Sequence, residues 1–171
     1  MAKMTSAYAN KLLNQLNEDK DFWTTKERES YVYTAAVNEE PVIPEYDYSE
    51  VAATIAEIDE KICKIKHAIN LANVTNTVEV NGTQISIDTI LVKMAQYNKR
   101  KLVLDNMRKQ LPKTRINANM YNGRNAVPEY QYINYDLDLI KKEYEALNCE
   151  IMEMQIALDK YNQTYEFEVE I

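Results

Sequence analysis

The sequence predicts a mainly α protein: an antiparallel bundle or coiled coil of long helices, with a short β-hairpin and a few short strands at one end. Three observations predict it. Two stretches carry apolar residues at strict heptad spacing. Only two Gly and four Pro occur in 171 residues, too few breakers for the many tight turns of an all-β sandwich. One Asn-Gly pair, Asn81-Gly82, sits inside an alternating segment, the strongest short hairpin signal. This length fits one domain, and residues 1–171 read as a single helical domain.

The first element is a helix over residues 6–36, with Tyr8, Leu12, Leu16, Phe22, Trp23 and Tyr31 as its apolar residues. The NEDKD stretch interrupts that pattern, and a break is expected near Asp19–Asp21. Residues 37–48, VNEEPVIPEYDY, hold two prolines and several acids and read as an extended linker. The helix over 49–73 follows. Val51, Ile55, Ile58, Ile62, Ile65, Ile69 and Ala72 step by 4, 3, 4, 3, 4 and 3, an a/d seam. Asp47 with Glu50 three residues later offers an N-terminal cap, and Ser49 is a rival.

Residues 77–86 form the hairpin around Asn81-Gly82, and a third helix spans 87–111, closed by Pro112. Ile87, Leu91, Met94, Leu102, Leu104 and Leu111 are its apolar residues, while Asn98, Lys101 and Asp105 interrupt any single seam. Residues 114–133 are extended, and RINANMY within them has strand alternation. The last helix, 135–163, repeats the heptad pattern at Leu137, Ile140, Tyr144, Leu147, Ile151, Met154, Leu158 and Tyr161, with Asn134 as the expected cap. At 1.5 Å per residue the two heptad helices are about 38 and 44 Å long, lengths that suit packing of one seam on the other. Residues 165–171, YEFEVEI, alternate an apolar with an acidic face, as a strand of period two requires.

The catalytic inventory is thin. The single His67 falls at an outer heptad position, and Cys63 and Cys149 stand apart with no CxxC. A nucleophile needs a tuned base beside it, and none is signalled. DLDLIKKEYE begins like a calcium loop at Asp136 and Asp138 but lacks its third ligand and turn glycine. A helix N-terminal turn accounts for those acids better. No Gly-rich phosphate loop occurs. We therefore nominate no catalytic residue, no metal ligand and no cofactor. The first fifteen residues contain no apolar h-region and no run reaches membrane-spanning length. Two isolated thiols without an export signal then suggest a reducing cytoplasm and no membrane partner.

One feature has functional colour. Residues 99–124, KRKLVLDNMRKQLPKTRINANMYNGR, hold eight Lys and Arg against one Asp, a formal +7. The chain as a whole carries −7, which leaves −14 for everything else. Lys99, Arg100, Lys101, Arg108, Lys109, Lys113, Arg115 and Arg124 could meet phosphates while Tyr121, Tyr130 and Tyr132 stack on bases. The other reading is a counter-charge to acidic surface of the same chain or of a neighbour, including Glu166, Glu168 and Glu170. RINANMY beside YEFEVEI would place Arg115 near that Glu ladder, where opposite cross-strand charges attract. A strongly acidic protein repels nucleic acid at long range, which favours the counter-charge.

The order of parts resembles one family. A helix, an acidic Pro-containing linker, a heptad helix ending INLANVTNT, a VNGTQIS hairpin opening into SIDTILVKM, a basic extended piece, a last helix and a short tail are similar to a small, mostly helical bacterial family sometimes labelled septicolysin. The resemblance runs from about Glu27 onward and is densest over Ile69–Met94. The chain departs from it in the tail, with Asn162-Gln163 where the family usually has Asn-Trp. The resemblance implies a helical bacterial protein and carries over no functional residue. Its toxin-like label implies membrane action, for which the sequence has no long apolar or glycine-rich insertion segment.

The expected function is a non-catalytic structural or interaction protein that self-associates as a dimer or larger homo-oligomer. Its alternatives are a nucleic-acid-associated protein using 99–124, and a helical enzyme with an unrecognised site.

Overall fold

The computed structural model describes residues 2–116 and 128–170. Its elements run β1 (Ala2–Thr5), α1 (Ser6–Ser30), α2 (Tyr48–Thr75), β2 (Thr77–Val80), β3 (Thr83–Ser86), α3 (Ile87–Arg108), β4 (Lys113–Arg115), β5 (Tyr130–Tyr132), α4 (Leu137–Thr164) and β6 (Glu166–Val169). Among the described residues, four long helices and three two-stranded antiparallel ribbons make a mainly α fold.

The helices form two antiparallel pairs, α1 with α2 and α3 with α4, as connections between sequential neighbours favour. The α2 seam is buried, but against α1 and β6. Ile58, Ile62, Ile65 and Ala72 share a core with Met4, Ala9, Leu13, Phe167 and Val169. The α4 seam faces α3 and the β2–β3 hairpin, through Met154 with Val80 and Ile90, and through Leu158 and Tyr161 with Ile87. The two seams therefore do not zip along each other. Each takes a less regular helix as partner, and the pairs meet where the Tyr161 hydroxyl donates to the Ala72 carbonyl at 3.3 Å.

Helix α1 is unbroken through Asp19–Asp21 and ends at Ser30, not at 36. Glu18, Asp19 and Asp21 lie on its exposed face, where acids cost the helix little. Lys20, which turns inward, reaches Asp59 of α2 at 2.6 Å. Asp47 caps α2 through the amides of Ser49 and Glu50. At α4 the cap is Asp136, accepting from the amides of Asp138 and Leu139. Asn134 lies too far upstream, because the helix begins at Leu137.

Helix α3 differs most from its reading. Leu91, Leu102 and Leu111 are 44%, 68% and 65% exposed. The inward line is Ile87, Ile90, Met94, Tyr97, Lys101, Leu104 and Arg108, a heptad seam with cations in two of its slots. The hairpin turns at Asn81 (φ 51°) and Gly82 (φ 73°), the left-handed pair of a type I′ turn.

Strand β6 is present with Phe167 and Val169 buried, but its partner is β1, in the register Met4↔Phe167 and Lys3↔Glu168. Of the expected RINANMY segment only Arg115 and Ile116 are described. Arg115 ends β4, which pairs with β5 and not with β6, so Arg115 stands opposite Tyr130. The reason is topological. Ribbons β1–β6 and β2–β3 flank the start of α1 and α3 and the end of α2 and α4. Strand β4 follows α3, whose 22 residues carry the chain about 33 Å away.

Candidate functional site

The basic stretch divides into three groups. Lys99 and Arg100 are exposed on α3. Lys101 and Arg108 sit one heptad apart in the α3 seam, facing α4. The Lys101 ammonium reaches the Asn148 side-chain oxygen and lies 5.7 Å from the Tyr144 ring centre. The Arg108 guanidinium lies 3.9 Å from the same ring, within the range of cation–π attraction. Tyr144 is thus clamped by two cations, and their aliphatic stems fill the seam positions that Leu or Ile would take.

Asp105 neutralises this region from inside it. Arg108 donates to one carboxylate oxygen through Nε at 2.8 Å and Nη2 at 2.7 Å. Lys109 takes the other oxygen. The hydrogen bonds from Lys109 and then Arg108 hold the Asp105 carboxyl below the usual carboxylate range. Asp105 also raises the already high Arg108 pKa. The counter-charge is therefore a neighbour on the same helix at i,i+3 and i,i+4, a relation plain in DNMRK. The Glu ladder of β6 has another cation, since Glu168 lies 3.8 Å from Lys3.

The third group is at the far tip. On the exposed β4–β5 ribbon, Lys113, Arg115, Tyr130 and Tyr132 share one face, because cross-strand partners and residues two apart lie on the same side. The Lys113 ammonium lies 4.1 Å from the Tyr130 ring centre and 5.5 Å from that of Tyr132. Among the described residues no carboxylate forms a salt bridge with Lys113 or Arg115. Tyr121 and Arg124 lie outside the described residues.

Sequence reasoning missed a second charged tip. Residues 31–47 connect α1 to α2 at the same end of the molecule as β4–β5, since α1 and α3 both run toward it. They carry Glu39, Glu40, Glu45 and Asp47 and no Lys or Arg. Nearly all of them are exposed, including Tyr31, Val32, Tyr33, Val37, Val42 and Ile43. One side-chain tether is the Tyr46 hydroxyl, which donates to Glu27 at 3.1 Å.

Concave surfaces are shallow. A groove of about 390 Å³ between α2 and β6 is lined by Lys64, His67, Leu71, Glu168 and Glu170 among others. A second, of about 410 Å³, lies beside Val78, Ala157 and Tyr161, and Tyr165 borders both. Cys63 and Cys149 are exposed free thiols. Among the described residues no group of three or more His, Cys, Asp or Glu is placed to hold a metal. No described helix is long and apolar enough to cross a membrane.

No protein-family model matches the sequence, and no curated protein does. Among solved structures the chain is similar to the crystal structure of a functionally unknown conserved protein from Corynebacterium diphtheriae. The two share 13% identity and superpose with a TM-score of 0.67, over 98% of this chain and 100% of the other. The likeness is one of fold.

Proposed function

We propose that this chain is a non-catalytic structural or interaction protein of a bacterial cytoplasm that works as a homo-oligomer. The observation that carries the reading is surface area. The chain exposes 13075 Å². A compact monomer of 20.0 kDa exposes roughly 8,700 Å². The excess is larger than the roughly 800 Å² per partner of a standard interface. It includes large apolar side chains on α3 and α4, namely Leu91, Leu102, Val103, Met152 and Ile156. Large apolar side chains left exposed on a helix surface are a mark of protein association when they form a patch. Sedimentation equilibrium at micromolar concentration and low salt tests it. A dimer or larger species is expected, and a monomer would reject the reading.

A second reading, nucleic-acid binding, is favoured by the grouping of Lys113 and Arg115 with Tyr130 and Tyr132 on one exposed ribbon face. It is weakened because Lys101, Arg108 and Lys109 are already engaged by Asn148 and Asp105. A gel shift with a single-stranded RNA oligonucleotide, repeated over rising salt, tests it. Tight binding with a steep salt slope would support it.

A further inference from the structure

We infer that the basic face of the β4–β5 ribbon docks the acidic 31–47 segment of a second copy of this chain. The inference rests on the self-association reading and names the surfaces that would perform it.

Charge complementarity is the first argument. The 31–47 segment has four acids and no base. From Arg108 to Ile116 the chain has four bases and no acid, and two of the four, Arg108 and Lys109, are paired with Asp105. Within one copy these two tips are not joined by any described salt bridge or side-chain hydrogen bond. Asp47 is spent as a helix cap, which leaves Glu39, Glu40 and Glu45 for a partner. On the ribbon, Lys113 and Arg115 are the cations without a described carboxylate.

Apolar and backbone chemistry agree with charge. Tyr130, Tyr132, Ile116 and Leu111 are exposed at the ribbon, as are Tyr33, Val37, Val42 and Ile43 in the segment. Pairing the two would cover both sets. A two-stranded ribbon has open outer edges with free amides and carbonyls. Within 32–46 the backbone makes one described bond of its own, from the Glu39 amide to the Ala36 carbonyl. Pro41 and Pro44 lack an amide hydrogen, so an extended segment lying along an edge leaves fewer donors to satisfy.

Symmetry makes the second copy the fitting occupant. Both tips lie at the end of the molecule away from the β1–β6 and β2–β3 ribbons, one on each helix pair. A two-fold axis beyond that end would set each acidic tip against the other copy's basic ribbon. The same contact then forms twice and the assembly closes.

The test uses two charge reversals, Lys113→Glu with Arg115→Glu, and Glu39→Lys with Glu40→Lys, alone and mixed, by analytical ultracentrifugation at low and high salt. Circular dichroism melts confirm that each variant folds. The parent is expected to associate, and each reversal alone to weaken association by about tenfold to a hundredfold, since it sets like charges together. Mixing the two variants is expected to restore a mixed dimer, because every contact between them again joins opposite charges. A contact within one copy would not be restored by mixing. If the parent associates and neither reversal weakens it, this inference falls while self-association stands, through another face such as that of Leu102 and Ile156. If the parent is monomeric, both fall. If an RNA oligonucleotide binds the parent and is lost on the ribbon reversal without change in assembly, the ribbon's occupant is nucleic acid and the inference is overturned.

Discussion

Ile90 and Leu91 are adjacent in sequence and opposite in fate. Ile90 is 0% exposed and packs with Val80 and Met154, with Val78, Ile85, Met94, Tyr97 and Ala157 around it. The hairpin holds it on one side and α4 on the other, so little can collapse into the space an alanine would leave. Ile90→Ala should therefore cost about 3–4 kcal/mol, within the range for deleting a buried aliphatic side chain. In a chain of this length each kcal/mol moves the melting temperature by about 2–4 °C, which gives a drop of about 6–16 °C. Leu91→Ala removes a side chain 44% exposed from a helix surface and should stay within about 2 °C of the parent. Thermal melts followed by circular dichroism at two protein concentrations measure both. A fall confined to the dilute Leu91→Ala sample would belong to assembly. Equal, concentration-independent falls for the two variants would refute the assigned face of α3.

Other consequences can be measured as directly. Ile62→Asp puts a carboxylate into the Leu13–Ile58–Ile65 core without a partner, at a cost of several kcal/mol. It should abolish cooperative unfolding in the near ultraviolet, and an unchanged midpoint would count against the α2 seam. Asp105 has a lowered pKa because Lys109 and Arg108 bond its ionised form. Its contribution is therefore present above the ordinary carboxylate range and is lost as pH falls through its folded value. Carbon-detected NMR should show it titrating below that range, and the stability gap between parent and Asp105→Asn should close in acid; titration at the ordinary value would contradict the bonding. At Gly82, φ is +73° and a Cβ would meet nothing within 4 Å. Gly82→Ala should then cost only the left-handed backbone penalty, about 1–2 kcal/mol, and a rise in melting temperature would show that the turn is not of this type.

The α2 and α4 seams were legible because nothing interrupts them: every slot from Val51 to Ala72 and from Leu137 to Tyr161 is apolar. The α3 seam was hidden by the same physics that completes it. Lys101 reads as a polar interruption and Arg108 is not counted in the seam, yet their stems pack inward while their charges rest on Tyr144 and Asn148. The strand character of β6 followed from its alternation, but its partner did not. AKMT is too short to show a period, and its pairing with Glu166–Val169 depends on where four helices leave the chain. In the basic stretch, composition showed the excess of charge. Only three-dimensional placement separated the cations clamped on α4 from the pair left on the ribbon. The acidic linker reads as extended from its prolines, but its position at the same end as the ribbon depends on helix directions.

The burial of Phe167 and Val169 beside Ile65 and Ala72 has a consequence in time. Helices α1 and α2 leave the ribosome one after the other, but the core they share is completed by the strand of Phe167, a residue 92 positions beyond Thr75. At about 5–20 residues per second that strand arrives roughly 5–18 s later. Until then Met4 has no Phe167 opposite it, and one side of the first helical pair is open to water and to other nascent chains. The core of the first helical pair is thus sealed only by a strand made well after it, and that interval is when a chaperone would have most to cover.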